Sequence, residues 1–318
     1  MDFSFVDDAR QPRPSRRHIG PLVGVGGVYV AAAQVPTLER EIGLLCRATG
    51  FPDGQEFKWS PGKRQPFMKT SLHGDARLTF YRELFQLASA HNASFGVVIE
   101  DTRHRPARKV SSCHENDVTS LFLERANLSL KARGVDGIVI IAQPGGGTGD
   151  TGKLVSTCID LLRAGTEYSK LDKFPLGIVI ARASQIRLLQ LADIVASCVL
   201  ARVAGESNHS PQVFELIRPL LQQENGRTAG IGLKLHPDYV LANLYYWLLA
   251  EQYFFKRNWG FPLPLVDQLF ASNSGECSVD LQPDERAVRL PDATTGISLL
   301  GSQDPPALPA GLETEPQR

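Results

Sequence analysis

The sequence has few of the features that mark secreted, membrane-spanning or zinc-binding proteins. It contains only five cysteines, an odd number spread far apart with no C-x-x-C pair, which argues against a disulfide framework and a zinc site. No stretch approaches the roughly 20 consecutive apolar residues that a membrane-spanning helix needs. The N-terminal residues include Asp2, Asp7 and Asp8, whereas a secretory signal would carry lysine or arginine there. These absences predict a cytoplasmic protein that does not cross a membrane.

Net charge is also absent, since 34 basic residues balance 34 acidic ones. From Ala271 onward, however, there are eight acids and three bases, so this tail has a net charge of −5 and the rest of the chain +5. The basic residues gather in three stretches that we interpret as loops: Arg10, Arg13, Arg16 and Arg17; Lys58, Lys63, Arg64 and Lys69; and Arg103, Arg105, Arg108 and Lys109. Such loops favour nucleic acid, DNA or RNA, because phosphate contacts supply most non-specific affinity. Solvated loop charges are the alternative.

The hydrophobic pattern predicts an α/β fold with a mixed sheet flanked by helices and extra helices at the C-terminal end. Strands are predicted over residues 3–8, 21–33, 56–59, 94–100, 136–142 and 175–181. Helices are predicted over residues 37–48 (with Thr37 as its cap), 75–91, 116–133, 153–163, 185–203, 210–223 and 237–257. We expect one domain over residues 1–270, followed by a disordered, acidic and proline-rich tail over residues 271–318.

Acidic residues stand at two places in the predicted sheet where a metal ion would need them. Asp7 and Asp8 end the first strand, and a carboxylate held rigidly at the tip of a buried strand suits a hard ion such as Mg²⁺. The alternative for Asp8 is the opening of the next turn, a common use of aspartate. Glu56 and Lys58 share one face of an extended segment, either as a metal ligand beside a phosphate-contacting lysine or as an exposed ion pair.

A third acid, Asp193, lies in a predicted helix in which nearly every other residue is apolar. Gln190, three residues earlier, falls on the same narrow polar face of that helix. An acid in so buried a helix needs a metal ion or a partner to offset its desolvation, so a salt bridge is the alternative to a metal site. We expect Asp7, Glu56 and Asp193 to converge around one cation.

Taken in order, these motifs resemble the family called domain of unknown function 3800. The outline of that family is an acidic pair on the first strand, a short segment containing a glutamate, and a late helix with the motif Leu-Gln-Leu-Ala-Asp. The matching residues here are Asp7-Asp8, Glu56-Phe57-Lys58 and Leu189-Gln190-Leu191-Ala192-Asp193, and the resemblance covers the chain from Asp2 to Tyr253. It implies a ribonuclease-H-like fold and a nuclease that depends on Mg²⁺ or Mn²⁺.

The function that follows is metal-dependent hydrolysis of phosphodiester bonds in nucleic acid. The expected catalytic residues are Asp7, Glu56 and Asp193, and the expected metal ligands are these three together with Asp8. Lys58 and Gln190 are the expected contacts to the substrate.

The chain departs from the family pattern after the strand over residues 136–142. That strand runs into Ala142 and Gln143, where the family usually has an acid. Asp150, or Glu100 and Asp101, are the candidate replacements. Loss of a bridging carboxylate weakens the hold on a second metal ion. The alternative function is therefore a catalytically weak or inactive member that binds nucleic acid or a partner protein.

A glycine-rich segment offers a further alternative, the binding of a nucleotide. Residues 147–153, Gly-Thr-Gly-Asp-Thr-Gly-Lys, nearly match a phosphate-binding loop, with a predicted strand before them and a predicted helix after them. Leu154 stands where that motif has the hydroxyl group that binds Mg²⁺. The strand over residues 175–181 also ends without a second metal-binding acid, so the sequence favours this reading less than the nuclease.

Aromatic residues cluster near the end of the predicted domain. They are Tyr245, Tyr246, Trp247, Tyr253, Phe254 and Phe255. We interpret them as core, or as a helix face for a partner protein or a second copy of the chain, in preference to a platform on which nucleic-acid bases stack.

Overall fold

The computed structural model describes residues 1–104, 114–145, 148–166, 168–256 and 259–272. Within them, one six-stranded sheet contains β1 (Asp2–Gln11), β2 (Leu22–Ala31), β3 (Ser94–Asp101), β4 (Gly137–Ala142), β5 (Ile178–Ala181) and β6 (Leu233–His236). The helices are α1 (Val35–Thr49), α2 (Pro66–Thr70), α3 (Gly74–Ala90), α4 (His114–Arg133), α5 (Thr148–Ala164), α6 (Arg187–Val203), α7 (Ser210–Ile217) and α8 (Ala242–Leu249). None of the helices in these ranges combines the length and the apolarity needed to span a bilayer.

The sheet is mixed, as the pattern predicts, with the strand order β5-β4-β1-β2-β3-β6. Strands β1, β2 and β3 form an antiparallel meander. Strand β4 then pairs in parallel with β1, β5 with β4, and β6 with β3. Helices cover both faces of the sheet, so all nine residues from Leu22 to Val30 of β2 are buried. A strand that is covered on both faces reads as a continuous apolar run instead of an alternating one.

Two hydrophobic cores lie on the two faces of the sheet. One face packs against α1, α3, α6 and α7, and contributes Phe5 and Ala9 of β1. The other face packs against α4 and α5, and contributes Val6 of β1 with Val23 and Val25 of β2. Because side chains alternate along a strand, neighbouring residues of β1 belong to different cores.

The glycines of β2 allow helices to lie very close to the sheet. A Cβ atom on Gly26 would come within 2.7 Å of the Ala196 Cβ atom and 2.8 Å of its Cα atom. On the other face, a Cβ atom on Gly27 would lie 2.4 Å from the ring of Phe122. Helix α6 therefore crosses β1 and β2 at a distance that only glycine permits at position 26.

Several short elements differ from those that the sequence pattern predicts. Residues 56–59 form no strand; the backbone amides of Phe57 and Trp59 bind side chains of α6 instead of a neighbouring strand. Lys69, which we interpret from the sequence as part of a loop, belongs to α2. Helix α1 begins at Val35, after Gln34, so Thr37 lies inside the helix and is not its cap. Arg10, predicted in a loop, belongs to β1.

The C-terminal region of the domain also differs from the prediction of one helix over residues 237–257. Helix α8 covers only Ala242–Leu249, and a hairpin follows, formed by β7 (Tyr253–Lys256) and β8 (Trp259–Pro262). Tyr245 and Phe254 are buried, as the core interpretation predicts, but Phe254 lies in a strand. The predicted tail lies outside the described residues beyond Ser272.

The glycine-rich segment is not a phosphate-binding loop over the residues that the structure describes. Residues 148–153 are the first turns of α5, and Lys153 lies 3.8 Å from Asp150 on the surface of that helix. A phosphate-binding loop needs consecutive backbone amides that curve around the anion, and a helical segment cannot supply that shape.

Candidate functional site

Asp7 lies where β1 emerges beyond its pairing with β4. The last pair between these strands is Val6 with Ile141, whereas Asp7 still pairs with Gly26 of β2. By alternation, Asp7 faces the core that contains α6, and Asp8 faces the core that contains α4. The two acids of the predicted pair therefore point to opposite faces of the sheet, at the carboxyl edge of β1, β4 and β5. In open α/β sheets, ligands bind preferentially at this edge.

Helix α6 brings Asp193 to the side of the sheet that Asp7 faces. Ala196, one turn after Asp193, rests on Gly26, which is the partner of Asp7 across β1 and β2. Burial raises the pKa of Asp7 well above its ordinary value, and the negative charges of Asp193 and Asp8 raise it further. Asp7 and Asp193 therefore lie on the same side of the sheet, whereas the sequence predicts that Asp7, Glu56 and Asp193 all converge around one cation.

The segment that carries Glu56 and Lys58 is fastened to the same face of α6. The backbone amide of Phe57 donates to the Gln190 Oε1 atom at 3.2 Å, and the amide of Trp59 donates to the Asp193 Oδ2 atom at 3.1 Å. Phe57 is buried, whereas Glu56 and Lys58 on either side of it are partly exposed.

Gln190 has a structural position instead of the predicted contact with substrate. It is only 1% exposed, and its Oε1 atom also accepts a hydrogen bond from Arg187 at 2.8 Å. Its Nε2 atom donates to the carbonyl oxygen of Ala183 at 2.8 Å. Gln190 therefore positions the segment around Phe57, and the prediction that it contacts substrate is wrong.

Lys58 lies among the acids. Its Nζ atom is 3.9 Å from the Glu56 Oε2 atom. The positive charge of Lys58 lowers the pKa of Asp7, Asp8 and Asp193, but in each case burial has the larger effect and the pKa is raised. We call Asp7, Asp8, Glu56 and Asp193 the acid cluster, since the charges of Asp8 and Glu56 also raise the pKa of Asp193.

The acid cluster fits a hard divalent cation in its chemistry, because Mg²⁺ and Mn²⁺ prefer carboxylate oxygens. One oxygen of Asp7 accepts the amide of Asp8 at 2.9 Å, and one oxygen of Asp193 accepts the amide of Trp59, so both side chains are oriented. In the described part of the chain, no three Asp, Glu, His or Cys side chains stand close enough together to hold one ion. The predicted convergence of Asp7, Glu56 and Asp193 around one cation is therefore not observed in this part of the chain.

The acids considered as replacements at the end of β4 are bound elsewhere. Asp101 is fully buried and accepts the amide of Gly20 at 3.1 Å, which fixes the chain before β2. Glu100, 2% exposed, lies 3.0 Å from the Nδ1 atom of His114. Asp150 stands on α5 near Lys153. None of these contacts places a carboxylate beside Asp7 on the side of α6.

Ala142 occupies the position from which a further acid would join the cluster. It is the last residue of β4 and belongs to the core on the side of α6. Continuing the register of β1 and β4 by one residue places it beside Asp7. Gln143 follows the strand, is exposed, and donates its amide to Ala181 at 2.8 Å. Position 142, and not 143, is therefore the one that faces the acid cluster.

The basic residues divide into buried and exposed groups. Arg16 lies in a loop, as predicted, but it is 2% exposed, donates from its Nε atom to the Val203 carbonyl at 2.8 Å and lies over the ring of Phe270. It is therefore neither a phosphate contact nor a solvated charge. The side chain of Arg103 donates to the carbonyl of Ile19. Arg13, Arg17, Lys63 and Arg64 are exposed in loops, as predicted; Arg103 is also exposed, and Lys69 is exposed on α2. Arg105, Arg108 and Lys109 lie outside the described residues.

No protein-family model matches the chain, and a search of curated proteins finds no similar sequence. The resemblance to domain of unknown function 3800 therefore rests on the order of the three motifs.

Proposed function

We propose that this protein is a nuclease that hydrolyses phosphodiester bonds of nucleic acid with the help of Mg²⁺ or Mn²⁺. The observation that carries the proposal is the acid cluster, in which burial and neighbouring carboxylates raise the pKa of Asp7 at the carboxyl edge of the sheet. Strongly perturbed carboxyl groups in this arrangement are typical of functional sites.

In this proposal, Asp7 and Asp193 would hold the cation, with Glu56 as a further ligand. Asp8, which the sequence also predicts as a ligand, points to the opposite face of the sheet and lies 3.9 Å from Arg10, so it acts on this site only through its charge. The bound cation would activate a water molecule and stabilise the charge that develops on the phosphate. The backbone amides of Asp8 and Trp59 keep one oxygen of each aspartate in place. A carboxyl group with a raised pKa gives up its proton when a cation arrives, because positive charge favours the ionised form. Lys58 then contacts a phosphate oxygen.

We further propose that the sheet is of the ribonuclease-H-like class. The support is the antiparallel meander of β1, β2 and β3, extended in parallel by β4 and β5 at the side of β1. An acid on the first strand and an acid on a late helix, Asp7 and Asp193, agree with the resemblance that the sequence motifs carry.

A second function is favoured by two observations at the same site. Lys58 already supplies a positive charge to the acid cluster, and Ala142 stands where another acid would face Asp7. With Lys58 in the place of a cation, the protein would bind nucleic acid through its exposed basic residues without cleaving it. The test must therefore measure binding and cleavage separately.

The test uses labelled single- and double-stranded DNA and RNA, each incubated with Mg²⁺, Mn²⁺ or a chelator. We expect the wild-type protein to cleave at least one of them, and only with a metal ion. Asp7→Asn and Asp193→Asn should each abolish cleavage while keeping the fold, because an amide keeps the shape but not the charge. Asp172→Asn is the matched control, since Asp172 is exposed and pairs with Lys131 at the surface.

Three outcomes decide between the functions. Cleavage that survives in chelator, or in both Asp7→Asn and Asp193→Asn, contradicts the nuclease proposal at this site. Binding with a steep salt dependence and no cleavage favours the binding function, and Ala142→Asp is then the variant that should restore metal binding. If the wild type neither binds nucleic acid nor is stabilised by Mg²⁺, both functions are wrong.

A further inference from the structure

A cleft of about 590 Å³ opens on the face of the sheet opposite Asp193, between β1, β2, α4 and α5. Its apolar lining includes Val6, Val23, Val25 and Ile141 of the sheet and Phe122 of α4. Its volume lies within the roughly 300–1,000 Å³ that small-molecule sites span. Each of these side chains is 8% exposed or less, so a planar ring would contact only the small apolar surface that they leave open in the cleft.

The rim of the cleft carries hydrogen-bonding groups. Thr157 donates its hydroxyl to the Asn116 Oδ1 atom at 3.3 Å, and both residues line the cleft. Within the described residues, the Asn116 Nδ2 hydrogens have no acceptor, so this pair presents a donor and a hydroxyl oxygen side by side. The edges of nucleobases also carry donors next to acceptors, so this pair of groups is complementary to a base edge.

The charges of the rim disfavour a phosphate group as the occupant. Arg10 lies 3.1 Å from Glu115 and 3.9 Å from Asp8, and Lys153 lies 3.8 Å from Asp150. Both cations are therefore compensated by acids, and the five charged groups of the rim sum to a negative charge. An uncharged, planar and hydrogen-bonding group fits this cleft better than an anion does.

Asp8 connects the cleft to the acid cluster. It lines the cleft, and its neighbour Asp7 faces Asp193 across the edge of the same strand. A strand of nucleic acid that crosses this edge would place a phosphate at the acid cluster and the adjoining base on the other face. Bases become available in this way only when they are unstacked, as in single strands.

We propose that this cleft binds one unstacked nucleobase of a single-stranded substrate. The inference rests on the proposed function for the identity of its occupant, and it adds that single strands are preferred to duplexes. Phe122 and the valines contact the ring, and Asn116 with Thr157 contact its edge.

Saturation-transfer NMR in chelator tests this without any cleavage, using a single-stranded adenine trinucleotide and the same molecule with an abasic central position. We expect saturation mainly at the base protons, and at least tenfold weaker binding of the abasic molecule. Val25→Phe, which fills the cleft from the position opposite Asp8, should weaken binding of the complete trinucleotide at least tenfold. Val155→Phe is the matched control, because Val155 is 36% exposed on α5 and does not line the cleft.

Equal affinity for the two trinucleotides, saturation mainly at sugar protons, or no binding at millimolar concentration would overturn the inference. If Val25→Phe does not fold, Asn116→Ala keeps the test decisive, since wild-type affinity in that variant also contradicts the assignment. Base-dependent binding without cleavage would refute only the nuclease function. Metal-dependent cleavage with no dependence on the base would refute only the cleft.

Discussion

Replacing Gly26 with alanine tests whether the close approach of α6 to β2 builds the acid cluster. The added methyl group would lie 2.7 Å from the Ala196 Cβ atom and 2.8 Å from its Cα atom. Carbon atoms make their best contact at about 3.5–4.0 Å, so the helix must retreat by about 1 Å. The obstacle is the backbone and methyl group of Ala196, and neither can rotate away.

The expected cost follows from two opposing effects. Overpacking of this kind costs about 1–3 kcal/mol of unfolding free energy. Replacing a glycine in a strand with alanine raises the unfolding free energy by about 0.5–1 kcal/mol, because the unfolded chain has less conformational freedom to lose. We therefore expect Gly26→Ala to lower the unfolding free energy by about 1–2 kcal/mol, and Tm by about 3–6 °C. The helix carries Asp193 with it, and a displacement of about 1 Å at a reacting centre can reduce a rate about 100-fold.

Two other glycines serve as controls in the same urea-unfolding and cleavage measurements. At Gly43, in the middle of α1, the contact that an added Cβ would make outside the helix's own backbone is with a side-chain nitrogen of Arg47 at 3.9 Å, so Gly43→Ala should raise the unfolding free energy by about 0.5–1 kcal/mol. At Gly24 the closest atom to an added Cβ is the flexible end of Leu200 at 3.0 Å. The unfolding free energy of Gly24→Ala should therefore lie between those of Gly26→Ala and Gly43→Ala. The reasoning is refuted if Gly26→Ala is as stable as Gly43→Ala, or cleaves at the wild-type rate.

Three further predictions concern single side chains, and one the tail. In chelator, Asp7→Asn should raise Tm at pH 7 but not at pH 4. The pKa of Asp7 is raised in the folded protein, so the native state of the wild type binds more protons than the unfolded state does. The wild type therefore loses stability as the pH rises above the unfolded pKa of about 3.9, and the asparagine variant does not. An equal gain at both pH values contradicts this. Lys153→Ala should leave cleavage within a few-fold, and Mg·ATP should not raise Tm, whereas a ligand at 100 times its Kd would stabilise by about 2.7 kcal/mol. Glu39→Gln should lower the unfolding free energy, measured in urea, by about 0.5–2 kcal/mol, because the Glu39 carboxylate accepts hydrogen bonds from the first two backbone amides of α6. An unchanged unfolding free energy would show that this cap is dispensable. Truncation after Ser272 should leave Tm nearly unchanged and tighten nucleic-acid binding in a salt titration, since it removes a net charge of −5; a large drop in Tm would mean that the tail packs on the domain.

The long elements of the fold were open to prediction because their periodicity is strong. Strand β2 and helix α6 differ from their predicted bounds by only a few residues. The elements after Gly232 could not be predicted, since short apolar runs fit a helix or a strand equally well. There the aromatic residues of 253–255 pair in a hairpin, and residues 233–236 join the sheet beside β3.

Some residues of the candidate site could likewise be predicted from the sequence, and others could not. Asp7 and Asp193 were predictable, because an acid among apolar residues is costly wherever it lies. The positions of Gln190 and Arg16 were not, because their partners are backbone groups 133 and 187 residues away along the chain. Such contacts leave no local pattern, so a buried polar side chain that completes the fold resembles one that awaits a ligand.

The hydrogen bond from the Trp59 amide to Asp193 affects how any mutational survey of this site must be interpreted. Asp193→Ala would remove an acid and at the same time release the segment that carries Glu56 and Lys58. A scan with alanine would then assign to one residue the combined loss of three. Asparagine at position 193 keeps an oxygen for that amide and separates the two effects, so the loss of charge and the loss of anchorage can be measured one at a time.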